Sequence, residues 1–317
     1  MITDCIYEWT TIGEYKAVVL KVKKTEFEAE MTVVPEFGAN LLQFCYNGNI
    51  IIDYSQEALK KKEFTGTPIM FPTPNRVYEA KVKYNGENYL QIKNGKKRIC
   101  HGLVYDEPFE VSKIVCNEDI AYIHLSLDIN EKSSFFDFFP FKCRLHIIYS
   151  INIDGLTVKY KIENNSKVNL QYGFGIHPYF KFKQGDKLVL PSHKFLELKD
   201  EFPTGRIIET QKNFKNINTY GVDIETLQID NDFIRDENGL ACLFNDSNFK
   251  IEINASEQFR HFVVYKNKPD NFICVEPQTC SINAHNLAFS GFKNANIINI
   301  PPGKTDEGYV KISMVVQ

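Results

Sequence analysis

The chain has 317 residues, of which 43% are hydrophobic and 24% charged, with a net charge of −3 and a pI near 6.2. These values lie near the averages for soluble globular proteins, which excludes disordered and collagen-like chains. No basic excess points to a nucleic acid partner, and no apolar run reaches the ~18 residues that a membrane helix needs.

Residues 1–9, MITDCIYEW, carry Asp4 and Glu8 and lack the apolar stretch of an export signal. Eight cysteines are scattered without a C-x-x-C pair. They are expected to be reduced thiols in a cytoplasmic protein. The abundance of Phe (25) and Tyr (16), beside many Ile and Val, favours strands. The first expected hairpin is FCYNGNIIID, 44–53, where Asn47-Gly48 suits a type I′ turn because both residues must take positive φ. SQEALKKKEF, 55–64, predicts one short helix with Ser55 as its N-cap. PTPNRV, 72–77, is a proline-braced loop ending on Asn75-Arg76. It either presents polar groups rigidly or is a turn with a surface arginine. KVKYNGENYLQIK, 81–93, predicts a second hairpin, and Asn94-Gly95 is a further turn signal. His101 precedes Gly102 just beyond it.

Ile123, Leu125, Leu127 and Ile129 alternate with His124, Ser126 and Asp128, the signature of a half-buried strand. Leu145 and Ile147 repeat the period, as do Leu156, Val158, Tyr160 and Ile162, with Asp154-Gly155 marking a hairpin between them. His124 and His146 fall on the polar side and receive no role. GIHPYF, 175–180, locks His177 before Pro178. A proline fixes its own φ and pushes the preceding residue into extended geometry, so this imidazole has a braced backbone. By pattern alone His177 fits packing and chemistry equally. DNDFIRDENG, 230–239, is acid-rich but misses a calcium loop, with Ile234 at the fifth position and no glycine at the sixth. It reads as a polar loop leading into an Asn238-Gly239 turn. Ile251 and Ile253 suggest another strand. In CVEPQT, 274–279, Glu276 follows an apolar run. A buried glutamate there must be paired, exposed at a cleft, or functional.

No βαβ rhythm, fixed repeat or linker divides the chain. The expectation is all-β: a large antiparallel β-sandwich of two sheets with few short helices, one domain over 1–317. There is no nucleotide-binding glycine loop, no G-x-S-x-G elbow, and no zinc spacing among the seven histidines.

Taken in order, VVPEFGANLLQF (33–44), PNRV, HGLVYDEPFEV, GFGIHPYFKF, FICVEPQTCSINAHN and IPPGKTDEGYVKISM closely resemble the aldose 1-epimerase, or galactose mutarotase-like, family. No one motif is strong, but their succession is specific, and the resemblance covers nearly the whole chain. It implies a single-domain β-sandwich and an isomerase that interconverts the α and β anomers of a free aldose. It implies His177 as general acid and Glu276 as general base, with no metal or cofactor. It implies sugar contacts by Asn75, Arg76, His101 and Asp230, with Asp232 competing for the last place, and Gln278 beside the base. Tyr179 and Phe180 are expected to shape the pocket wall. At ordinary pKa values of ~4.3 and ~6.5, Glu276 would be ionised at neutral pH and His177 a ready proton donor. The partner expected is a small-molecule sugar, with no nucleic acid and no membrane, and the chain is expected to be a monomer or weak homodimer. The family's best-studied branch has Asn-x-Thr-x-His upstream of the acid, where this chain has Gly-Phe-Gly-Ile-His, which leaves the sugar open. Two other readings share the fold. One is a hexose-6-phosphate 1-epimerase, with Lys266 and Lys268 for the phosphate, although both read as surface charges. The other is a carbohydrate-binding or sensing protein without turnover, against which the intact His177 and Glu276 count.

Overall fold

The computed structural model describes residues 4–316 apart from 26, 94, 238, 240, 245–248 and 268–270. Two large antiparallel sheets of thirteen and nine strands face each other. Their facing side chains merge into one hydrophobic cluster that runs from Val18 to Met314.

The smaller sheet is built as its alternation dictates. Strands Ala121–Ile129, Cys143–Asn152 and Gly155–Asn164 form a meander that ends against Thr305–Val316. The register sets Leu125 beside Ile147 and Ile147 beside Tyr160, all buried. Because side chains alternate across a strand, His124 and His146 emerge on the outer face, 2.9 Å apart between Nε2 and Nδ1. The expected hairpins are present at Asn47-Gly48 and Asn85-Gly86, whose φ angles are all positive. The third pairs Asn152 with Gly155, so its turn is centred one residue earlier than the Asp154-Gly155 signal. The Asn94-Gly95 and Asn238-Gly239 signals each include a residue outside those described.

The predicted helix is shorter than its sequence signal, Gln56–Lys60. Ser55 caps it, Oγ accepting from the Ala58 N–H at 3.2 Å. Lys62 adopts φ 60°, and the bonds Lys62 N to Leu59 O and Glu63 N to Ala58 O close the C-terminus as a Schellman pair. Lys61 to Phe64 are therefore not helical. Among the described residues no helix is long and apolar enough to cross a membrane.

The segment 230–234, read from sequence as polar loop, is instead part of strand Ile229–Ile234 inside the larger sheet. Its alternation is real but inverted. Ile229 and Phe233 face the core, while Asp230 and Asp232 occupy the second face, where Asp232 is buried and Asp230 is part-exposed.

Candidate active site

That second face carries the site. Strand Phe272–Gln278 lies between Tyr179–Lys181 and His261–Lys266, and Ile229–Ile234 follows. Cross-strand partners share a face, so the register stacks side chains in rows. Tyr179, Cys274, Tyr265 and Asp230 form one row; Glu276, Val263 and Asp232 form the next. The pairs Gly175–Gln278 and Tyr179–Cys274 flank a gap in the ladder. His177 sits in that gap opposite Glu276, where Pro178 has no N–H to continue the pairing. The His177 N–H donates instead to Pro68 O at 3.1 Å.

The glycine two residues upstream of His177 is closely packed. Strand Gly175–Ile176 is squeezed between Ile69–Met70 and Phe272–Gln278. A Cβ on Gly175 would stand 2.8 Å from Met70 Cε and 3.0 Å from Gln278 Cγ. Ile176 is fully buried.

The remaining groups arrive on two loops that hold each other. His101 N–H donates to Asn75 O at 2.9 Å, and Arg76 bridges to Cys100. Asn75 and His101 both take positive φ, and Gly102 must be glycine, because a Cβ there would lie 2.3 Å from Phe71 O. The result is a cleft of about 740 Å³ lined by Asn75, Arg76, His101, His177, Asp230 and Glu276 among others. At its floor His177 Nε2 lies 3.1 Å from Glu276 Oε1. Arg76 is clamped from three sides. Its Nη2 pairs with Asp230, its Nε lies 3.3 Å from Glu201 Oε2, and its backbone N–H donates to Asn75 Oδ1 at 2.8 Å.

Six of the seven residues singled out in the sequence therefore line one cleft. Gln278 does not; it is fully buried behind Glu276 and donates to its Oε2 at 2.9 Å. Asp232 is also sealed off. It accepts from His261 Nδ1 at 2.7 Å and from the Ile282 N–H at 2.9 Å, so Asp230 is the aspartate open to the cleft. Phe180 is a core residue, pointing opposite to Tyr179 as strand neighbours do. Lys266 is neither on the surface nor in the cleft. It is buried over the Phe182 ring and donates to Asn267 O. Lys268 lies outside the described residues. Asp53, Lys181, Phe272 and Glu201 escaped the sequence reading. Lys181 had a signal, the period-2 series His177, Tyr179, Lys181. Glu201 had none, since only the fold brings it to Arg76.

Burial opposes the charge states expected from sequence. Desolvation, with the nearby Asp230 charge, drives the Glu276 carboxyl well above the ordinary range against the pull of Gln278 and Arg76. Desolvation, with Arg76 adding, lowers His177 to about 4. His101 is pushed well below its usual value by burial, then by His177 and Arg76. A neutral carboxyl with a neutral imidazole holds one proton, the same count as a carboxylate with an imidazolium. The pair is thus a one-proton device with its two sites 3.1 Å apart.

Comparison with known proteins places the chain. A family model described as aldose 1-epimerase matches residues 22–296. A galactose mutarotase-like protein from Clostridium acetobutylicum superposes with a TM-score of 0.86 at 20% identity, over 99% of both chains. A galactose 1-epimerase from Lactobacillus acidophilus gives 0.78 at 15%, again over 99% of each chain. An aldose epimerase homologue from C. elegans gives 0.71 at 16% over the same shares. At these identities the structural likeness speaks for the fold, and the family match for the family.

Proposed function

The chain belongs to the aldose 1-epimerase family, and on that premise we propose that it interconverts the α and β anomers of a free aldose, with Glu276 and His177 as the acid–base pair. The observation that carries this reading is the 3.1 Å approach of His177 Nε2 to Glu276 Oε1 on the floor of a polar cleft.

Mutarotation opens the cyclic hemiacetal, turns the C1–C2 bond and closes the ring on the other face. Opening takes a proton from the anomeric hydroxyl and gives one to the ring oxygen; closure reverses both transfers. Protons move and electrons do not, so one base, one acid and a positioned sugar suffice. Glu276 as carboxylate takes the anomeric proton, and His177 Nε2–H supplies the ring oxygen. Burial favours the neutral tautomer of the pair, while Gln278 and Arg76 favour charge on Glu276. The short path between Nε2 and Oε1 keeps both tautomers within reach. Gln278 is a positioning residue, holding the carboxylate by its Oε2. Arg76, Asn75, His101 and Asp230 hold sugar hydroxyls. Positioned acid–base catalysis contributes ~10²–10⁴-fold per group.

A phosphorylated hexose suits the cleft less well. Its cations among the described residues, Arg76 and Lys181, each face a carboxylate, Asp230 and Asp53. The test is optical rotation of fresh α-D-glucose, α-D-galactose and other free aldoses, with glucose 6-phosphate beside them. The expected result is faster equilibration of at least one free aldose than of the phosphate ester, and loss of most of the gain in His177→Asn. Background rates with every aldose would overturn the assignment.

A further inference from the structure

Both large sheets end on the same side of the sandwich. Strand Asp4–Ile12 is the last of the larger sheet and Glu110–Cys116 the last of the smaller, and the two edge strands touch. Each is paired with one neighbour only, Tyr15–Lys24 and Ala121–Ile129 respectively. Cys5 and Cys116 stand where the edges meet. Both are half-buried at the rim of the main hydrophobic cluster, and neither lines the catalytic cleft.

The turn that follows Cys116 is tied to the strands around Cys5. Asn117 closes the turn on itself: its N–H donates to Ile120 O at 3.1 Å, and its Oδ1 accepts from the N–H groups of Asp119 and Ile120 at 3.0 and 3.1 Å. Lys24, at the end of the strand paired with that of Cys5, donates to Asp119 Oδ1 at 2.5 Å. The Cys5 thiol donates to Ile120 O at 3.9 Å and is also hydrogen-bonded to the Cys116 thiol. Two thiols in contact can simply fill space, as small apolar side chains do. This pair differs in two ways. A reagent in solvent reaches both sulfurs, and an edge strand with one neighbour is free to shift the short way from thiol contact to the ~2.05 Å of an S–S bond.

We propose that Cys5 and Cys116 are a dithiol modification site, which a low-molecular-weight disulfide oxidises to an internal bond that staples the two sheets along their open edge. Burial, with the Cys116 sulfur adding, pushes the Cys5 thiol up to about 12. Cys5 is therefore seldom a thiolate, and Cys116 makes the first attack. The Cys116 thiolate displaces one thiolate from the reagent and is left as a mixed disulfide. Cys5 then loses its proton, attacks the Cys116 sulfur and displaces the second thiolate. Two protein thiols are oxidised, one reagent disulfide is reduced to two thiols, and the two protons end on them. The ring so closed spans residues 5–116, and a cross-link over so long a loop restricts the unfolded chain strongly. It also pins an edge strand most of whose residues are exposed. The inference stands apart from the mutarotase reading.

Incubating the folded protein with oxidised glutathione, followed by alkylation, peptide mass mapping and a thermal melt, tests it. The product should be lighter by two hydrogens, with the peptides that carry Cys5 and Cys116 joined. Its melting temperature should rise by about 4–8 °C and fall back on addition of dithiothreitol. Cys5→Ser should stop at a glutathione adduct on Cys116, and neither Cys5→Ser nor Cys116→Ser should gain the higher melt. A wild type that stays reduced, that keeps glutathione on either cysteine without the link, or that joins a different pair overturns the site. A Cys5–Cys116 link that leaves the melt unchanged overturns the staple.

Discussion

Two histidine–carboxylate pairs lie within a strand or two of each other in the larger sheet, and they are built to opposite specifications. His261 and Asp232 are both fully buried. His261 Nδ1 meets Asp232 at 2.7 Å, its Nε2 meets Asn294 O at 2.9 Å and Asn296 Oδ1 at 3.0 Å, and Asp232 also takes the Ile282 N–H. Burial pulls the His261 pKa down, but the Asp232 charge and these hydrogen bonds outweigh it and hold the imidazole above its usual value. His177 and Glu276 border the cleft, 3.1 Å apart, and His177 Nδ1 is buried without a partner among the described residues. Here desolvation wins and both groups are pushed toward neutrality. A sealed and fully satisfied pair stabilises a fold. An under-satisfied pair facing a cavity is poised to exchange protons with a guest.

The contrast can be broken from either side. The largest stability effect should come from Asp232→Ala, which leaves His261 buried and unpaired and should lower unfolding free energy by ~3–5 kcal/mol in denaturant titrations. Glu276→Gln should lower it little or not at all, because it removes a desolvated acid and keeps the hydrogen-bonding shape. If the two variants melt alike, the distinction fails. Next in size, Arg76→Lys replaces the fork clamped by Asp230 and Glu201 with a point charge, and should raise KM for the free aldose about tenfold, ~1.4 kcal/mol. An unchanged KM would remove Arg76 from sugar binding.

The pH dependence sharpens the comparison further, with opposite signs for the two histidines. His261 has a raised folded-state pKa, so its contribution is fully present below ~6.5 and is lost as pH rises through the folded value. His177, lowered to about 4, resists the proton that an unfolded chain would take, so its cost grows as pH falls from ~6.5 toward 4. His177→Asn should therefore stabilise the protein by about 1–2 kcal/mol more at pH 5 than at pH 8. The smallest effect is a displacement of the acid limb of kcat/KM, expected near pH 4, where the pair gains its second proton. A limb near ~6.5 would mean that the imidazole is not desolvated.

How much of this was legible depends on which face of a strand was covered. The Ala121–Ile129 and Gly155–Asn164 strands have one core face and one wet face, so period-2 alternation found them. Ile229–Ile234 has a core face and a second face of acids set against the cleft and a buried histidine, and those acids made it look like a loop. The same arrangement hid the His261–Asp232 pair, because cross-strand partners twenty-nine residues apart leave no local trace. His177 and Glu276 were legible through proline bracing and a glutamate after an apolar run, once the family's motifs set them side by side. Their charge states were not, since desolvation is a property of the fold. Gln278 read as a sugar contact from its place beside Glu276; it shares that face of the strand, but it is fully buried and its Nε2–H is spent on Glu276 Oε2.

The central claim is that the open pair does the chemistry. Optical rotation of fresh α-D-glucose or α-D-galactose, whichever the wild type equilibrates faster, tests it most directly when repeated with Glu276→Gln at equal folded concentration. The account predicts that the variant loses ~10²–10⁴-fold of the acceleration while its melt stays near that of the wild type. A Glu276→Gln protein that equilibrates the sugar at the wild-type rate would contradict it.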